Sequence, residues 1–263
     1  MQNKNILIII FLILGLLVLM GCSSNITLNK NDLIQGKKII SNNNYPIFRD
    51  YIVNYNVIYK NNFDYGNQKY FEHENILATV FWVGEEENID NNFIQNFDSA
   101  WDDNWIEHFG GVDGLENRVG YNPLGFEPKE NVFYFALPYN DFDNNGKRKT
   151  NAENIVFWGN EKKWEDNESM LKNRWIRITY NGKRAYAQWE DSGPYEYDDS
   201  NYVFGTARPN NIVQEIGLDL SPGVAKYLGF GGKGVVSWRF IDFEDVPIGP
   251  WFRIITTSQI FWE

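Results

Sequence analysis

Trp175-Ile176-Arg177-Ile178-Thr179-Tyr180-Asn181-Gly182-Lys183-Arg184-Ala185-Tyr186-Ala187-Gln188-Trp189-Glu190-Asp191 is the stretch on which the fold reading turns. Apolar and polar residues alternate up to Tyr180. Asn181-Gly182 then supplies the two positive-φ positions of a type I′ turn, and alternation resumes from Arg184, so the segment reads as a β-hairpin. A period of two places Ala185, Ala187, Trp189 and Asp191 on one face of the returning strand. Asp191 becomes a carboxylate beside an indole, where a strand meets the turn Ser192-Gly193-Pro194. A second acid, Asp219, sits in a similar setting in Gly217-Leu218-Asp219-Leu220-Ser221-Pro222. Carboxylates on loops held by a rigid sheet are well placed for binding or catalysis.

Outward from the hairpin, residues 77–83 read as a strand and 132–137 as a buried strand ending at Pro138. Residues 235–241 alternate as a late strand, and 252–256 are the candidate for a last one. Ser221 and Pro222 open a helix that Gly229 ends. Phe97, Trp101, Trp105 and Phe109 recur every four residues, which predicts a helix over 99–109 with Asp102, Asp103 and Glu107 on its solvated face. Many short strands with two or three short helices predict a mainly β chain closed into a small barrel over residues 76–258.

The N-terminus has a different character. Lys4 precedes an apolar run over residues 6–19, followed by Leu19-Met20-Gly21-Cys22. Such a segment reads as a secretory signal over residues 1–21. Its ending resembles a bacterial lipoprotein signal, which implies lipidation of Cys22. Residues 22–75 are expected to form a lipid-anchored tether and an N-terminal extension. No aspartate follows Cys22 directly, which points to the outer membrane facing the periplasm, or to the outer face of the cell membrane where there is no outer membrane. Cys22 is the one cysteine, so no intrachain disulfide can form. A net charge of −11 argues against nucleic acid as a partner. Aromatic residues make up 17% of the chain and can stack on sugar rings, although β cores use them too.

The second half resembles the six-stranded double-psi β-barrel superfamily. Asn181-Gly182-Lys183, Asp191-Ser192-Gly193-Pro194, Leu218-Asp219-Leu220-Ser221 and the closing Gly-Val-Val-Ser-Trp-Arg-Phe strand carry the likeness. It is most like the first domain of bacterial expansins, and is also similar to rare lipoprotein A and to family 45 endoglucanases. Ala78-Thr79-Val80-Phe81 and Ala136-Leu137-Pro138-Tyr139 match expansin segments more weakly. The resemblance implies that Asp219 is the essential acid, that Asp191 is the aspartate of the Asp-x-Gly-Pro turn, and that Thr79 assists from the first strand. Trp82, Trp189, Tyr139 and Asp141 are the expected substrate-binding residues.

Departures from the pattern weaken a hydrolytic reading. The endoglucanases carry their base in a Tyr-Trp-Asp run, and here Phe81-Trp82-Val83 stands in its place. An inverting hydrolase needs two carboxyl groups roughly 6.5–9.5 Å apart. Valine leaves that mechanism without its base unless Glu85, Glu86 or Asp191 substitutes. The histidine of rare lipoprotein A has no counterpart here; His73 and His108 lie elsewhere. Asp141-Phe142-Asp143-Asn144-Asn145-Gly146 mimics the start of a calcium loop, but Ala152 stands where a bidentate glutamate is required, so a turn is expected. No metal or cofactor is expected. The resulting expectation is a membrane-anchored binder of cell-wall polysaccharide, peptidoglycan or a β-glucan, with little or no hydrolysis. The alternatives are a lytic transglycosylase or glycosidase using Asp191 or Asp219 as general acid, and a non-catalytic envelope scaffold.

Overall fold

The computed structural model describes residues 69–262, apart from 90 and 211–213. The expected signal, Cys22 and most of the tether and extension lie outside the described residues. Among the described residues, no helix is long and apolar enough to cross a membrane.

In chain order the elements are β1 (His73–Val80), α1 (Trp105–Phe109), β2 (Arg118–Val119), β3 (Asn122–Pro123), β4 (Tyr134–Leu137) and α2 (Ala152–Ile155). There follow β5 (Trp175–Tyr180), β6 (Lys183–Ser192), α3 (Ser200–Val203), β7 (Ile216–Leu220), α4 (Pro222–Leu228) and β8 (Lys233–Ile241). Six strands close into a barrel in the order β1–β7–β4–β6–β5–β8. The pairs β1/β7 and β4/β6 are parallel and the rest antiparallel. The mainly β, closed six-stranded architecture therefore stands, with four α-helices among the described residues where two or three were expected.

The hairpin forms as predicted, with Ile176 opposite Ala187 and Ile178 opposite Ala185. Those alanines leave room inside the barrel for Trp189, Trp238 and Phe240, and the rings of Trp189 and Phe240 stack at 5.9 Å. Phe135, Leu218 and Leu220 complete the interior. A second aromatic layer lies outside the sheet. Tyr134 of β4 packs against Phe81, Trp105 and Phe109 at 5.4, 5.6 and 5.8 Å. Its hydroxyl donates to Asp113 Oδ2 at 3.0 Å and accepts from the Val83 amide at 3.1 Å. The segment between β1 and β4 is thus fastened over the outer face of β4.

α4 begins as its sequence requires. Ser221 Oγ accepts from the Val224 amide at 3.2 Å and donates to the Val132 carbonyl at 2.7 Å, which ties the cap to the start of β4. A Cβ on Gly223 would lie 2.4 Å from that same carbonyl, so only glycine permits this approach.

Two expectations are corrected. The helix over 99–109 is confined to Trp105–Phe109, because Ser99 and Asp102 close a tight turn and Asp102 accepts from the Asn104 amide at 2.9 Å. Asp102 is consequently buried rather than solvated. Residues 252–256 form no strand. Gln188 instead bridges to Thr256 with its side-chain amide, at 2.9 and 3.0 Å, in place of a ladder.

Trp189 fills the barrel centre, so Trp189→Ala should cost about 3–5 kcal/mol. Urea denaturation of the variant would register this as a lower midpoint, with Trp189→Phe falling between it and the natural protein.

Candidate functional site

Strand register brings three of the expected site residues onto one rung. Thr79 pairs with Asp219 across β1/β7, Asp219 with Ala136 across β7/β4, and Ala136 with Asp191 across β4/β6. At about 4.8 Å per strand, the two aspartate Cα atoms lie roughly 9–10 Å apart, with only a methyl group between them. Directly opposed residues share a face. Leu220 and Phe135, one step along, point into the barrel, so Thr79, Asp219, Ala136 and Asp191 lie on its outside.

Asp191 reaches this face through a bulge. Phe135 pairs with Trp189 but Ala136 pairs with Asp191, so Glu190 is an extra residue in β6. Regular alternation would have put Asp191 on the same side as Trp189. The inserted residue re-aims it to the opposite side, which is what bulges beside functional sites commonly do. Trp189 Nε1 donates to the Asp191 carbonyl at 2.7 Å and holds the bulge from within.

The two carboxyls differ in setting. Asp191 is buried, and its Oδ1 accepts from the amides of Ala100 and Ser192 at 2.7 and 2.8 Å. Asp219 is half-buried, and its Oδ1 accepts from the Thr79 hydroxyl. Burial pushes both carboxyls up to about 7, against the pull of those hydrogen bonds. The negative charge of Asp219 raises Asp191 further, and that of Glu85 raises Asp219.

Glu85 is thus the third acid of the cluster. It is buried after β1, its Oε2 accepts from Asn96 Nδ2 at 2.9 Å, and burial raises its own pKa. Of the three substitutes considered for the acid absent at Val83, Glu85 and Asp191 join the cluster, whereas Glu86 is exposed. Val83 itself is buried. Trp82, the residue before it, is half-exposed. Two tyrosines not singled out in the sequence also belong here. Tyr195 feels the charges of Asp219 and Glu85, and exposed Tyr197 feels that of Asp191. Their signal was the Asp-x-Gly-Pro turn, which places whatever follows it at the rung.

The remaining expected contacts fall elsewhere. Trp189 and Tyr139 are each 0% exposed and present no face to a sugar. Tyr139 packs edge-on to Phe204 at 5.3 Å. Asp141 is also fully buried, accepting from Ser169 Oγ at 2.7 Å and the Met170 amide at 2.8 Å. The run after it is a turn, as expected, in which Asp143 Oδ1 accepts from the amides of Asn145 and Lys147. Among the described residues no cluster of histidine, cysteine and carboxylate groups fits a metal ion.

Raised carboxyl pKa values make an acidic site costly when ionised. An aspartate that titrates near 4 when unfolded and near 7 when folded stabilises the fold below the lower value. That contribution is lost as the pH rises through the higher one. Asp219→Asn and Asp191→Asn should therefore each exceed the natural protein in stability at pH 8, by about 1–2 kcal/mol, well short of the roughly 4 kcal/mol that the whole shift at 1.36 kcal/mol per unit would give. The gain should vanish as the pH falls to about 4, where the carboxyls are protonated. Chemical denaturation at both pH values checks this.

No family model and no curated protein matches this chain. Among solved structures it is similar to the Streptomyces papain inhibitor (SPI), at 11% identity, covering 65% of this chain and 96% of that one with a TM-score of 0.28. A likeness at this level carries no functional inference, and the rung must be read on its own chemistry.

Proposed function

We propose that the protein is an expansin-like, double-psi-type barrel, anchored at the cell envelope through Cys22, that grips a cell-wall polysaccharide over the rung of Thr79, Asp219 and Asp191. The observation that carries this reading is the pairing of two outward carboxyls, both raised to about 7, across one alanine. A protonated carboxyl at neutral pH can donate a hydrogen bond to a glycosidic or hydroxyl oxygen, which an ordinary aspartate cannot. Asp219 is the more accessible of the pair and serves as donor, oriented by Thr79. Asp191 is held beside it by two backbone amides, and the charge of Glu85 tunes the donor. Trp82, Tyr195 and Tyr197 supply ring faces for the sugar. The chain's acidity suits a neutral glycan or one bearing amines.

A second reading has a specific observation behind it. Carboxyls poised near neutrality are what general acid catalysis requires, and a lytic transglycosylase needs no separate base to activate water. Asp191 or Asp219 would then protonate the leaving oxygen while a hydroxyl of the sugar attacks within the same molecule, and the carboxylate so formed would take up the hydroxyl proton.

Incubation of the purified protein with peptidoglycan sacculi, denuded glycan strands and cellulose separates the readings. The expected outcome is co-sedimentation with one glycan, weakened about tenfold or more in Asp219→Ala, as loss of a buried hydrogen bond would give, and no soluble product. Anhydro-sugar products that disappear in Asp191→Asn would replace binding by the transglycosylase reading. Absence of both binding and product on every glycan would leave a scaffold.

A further inference from the structure

Away from the rung, a pocket of about 340 Å³ is lined by His108, Lys129, Glu130, Thr256, Ser258 and Phe261, among others. His108, on α1, has Nδ1 at 2.8 Å from both oxygens of the fully buried Asp102. A carboxylate on Nδ1 orients the imidazole and leaves Nε2 for other partners. The Phe261 ring packs on it with centroids 4.8 Å apart.

The floor of the pocket is acidic. Glu130 is 6% exposed; its Oε1 accepts from Ser258 Oγ at 2.7 Å, and its Oε2 is buried with no hydrogen-bond donor among the described residues. Lys172 stands behind Ser258, but its ammonium is engaged by Glu190 at 2.6 Å and by Ser258 Oγ at 3.2 Å. Lys129 at the rim directs its ammonium to the Glu107 carbonyl at 3.1 Å. The Lys172 ammonium faces three carboxylates, Glu190, Glu130 and Asp102, so with Lys129 at the rim the surroundings carry one carboxylate in excess. A buried carboxylate oxygen without a donor is among the costlier features a fold can hold, unless something bearing N–H groups and positive charge meets it.

We propose that this pocket is a second binding site, for a small organic ammonium ion carried on a compact polar body. The ammonium pairs with the Glu130 carboxylate, which lines the pocket, and a hydroxyl of the same molecule bonds His108 Nε2. Phe261 and Thr256 wall the remainder. The site is independent of the glycan reading, since none of its residues belongs to the rung.

The test follows the ring signals of His108 by ¹H–¹⁵N NMR of the full chain, which has two histidines. The probes are D-glucosamine, D-glucose as its neutral counterpart and D-glucuronate as an anion, below neutral pH so that the amine is protonated. Glucosamine should shift the His108 signals saturably and leave those of His73 alone, while the other two sugars at equal concentration do not. Glu130→Gln should weaken glucosamine tenfold or more while the variant stays folded. Equal response to glucose, no response to glucosamine, or unaltered affinity in the folded Glu130→Gln variant would overturn the proposal. If that variant fails to fold, the discrimination between amine and neutral sugar by the natural protein decides alone.

Discussion

One extra residue in β6 sets the chemistry of the whole face. Glu190 has no partner of its own opposite β4, and its insertion separates three consecutive side chains into three environments. Trp189 turns inward to the barrel centre, Glu190 pairs with buried Lys172, and Asp191 emerges outside beside Ala136. Without the bulge Asp191 would share the interior with Trp189, where an ionisable group has no counterpart. The bulge therefore keeps the carboxylate on the outer face of the sheet, beneath the turn that covers it.

The segment Ser99–Asp102 couples this arrangement to the rest of the outer layer. Its Ala100 amide donates to Asp191, Trp101 packs against Trp189 at 6.2 Å, and Asp102 orients His108. One tight turn thus shapes both the rung and the acidic pocket. It also explains why Asp191 is held so firmly above the usual carboxylate range. The turn covers it, and two backbone amides do not fully offset the lost hydration. Asp219, with Thr79 as its partner and more solvent around it, reaches a similar value through burial and the charge of Glu85.

Local signals in the sequence carried the fold well. Asn181-Gly182 marked the hairpin, Ser221-Pro222 the start of α4, and alternation the strands, because each depends on neighbours in the chain. The rung was legible only in part. Asp219, Asp191 and Thr79 could be named from short motifs, yet a period-two reading put Asp191 on the wrong face, since nothing local announces a bulge. Tyr139 was expected at the groove because its segment resembles an expansin one, and Asp141 because it follows a strand end. The chain there turns inward, and both are sealed by residues distant in sequence, Phe204 and Ser169. Asp102 shows the same limit. The four-residue spacing of Trp101, Trp105 and Phe109 was real, but a buried carboxylate making its own hydrogen bonds competed with the helix and won.

The central claim is that Asp191 and Asp219 form an electrically linked pair on the outside of the barrel. Titration of their side-chain carboxyl ¹³C signals by NMR tests it most directly. Both should titrate near 7, and Asp219→Asn should lower the value at Asp191, because a neighbouring negative charge is removed. Independent titration of both groups near 4, with Asp191 indifferent to Asp219→Asn, would contradict the account.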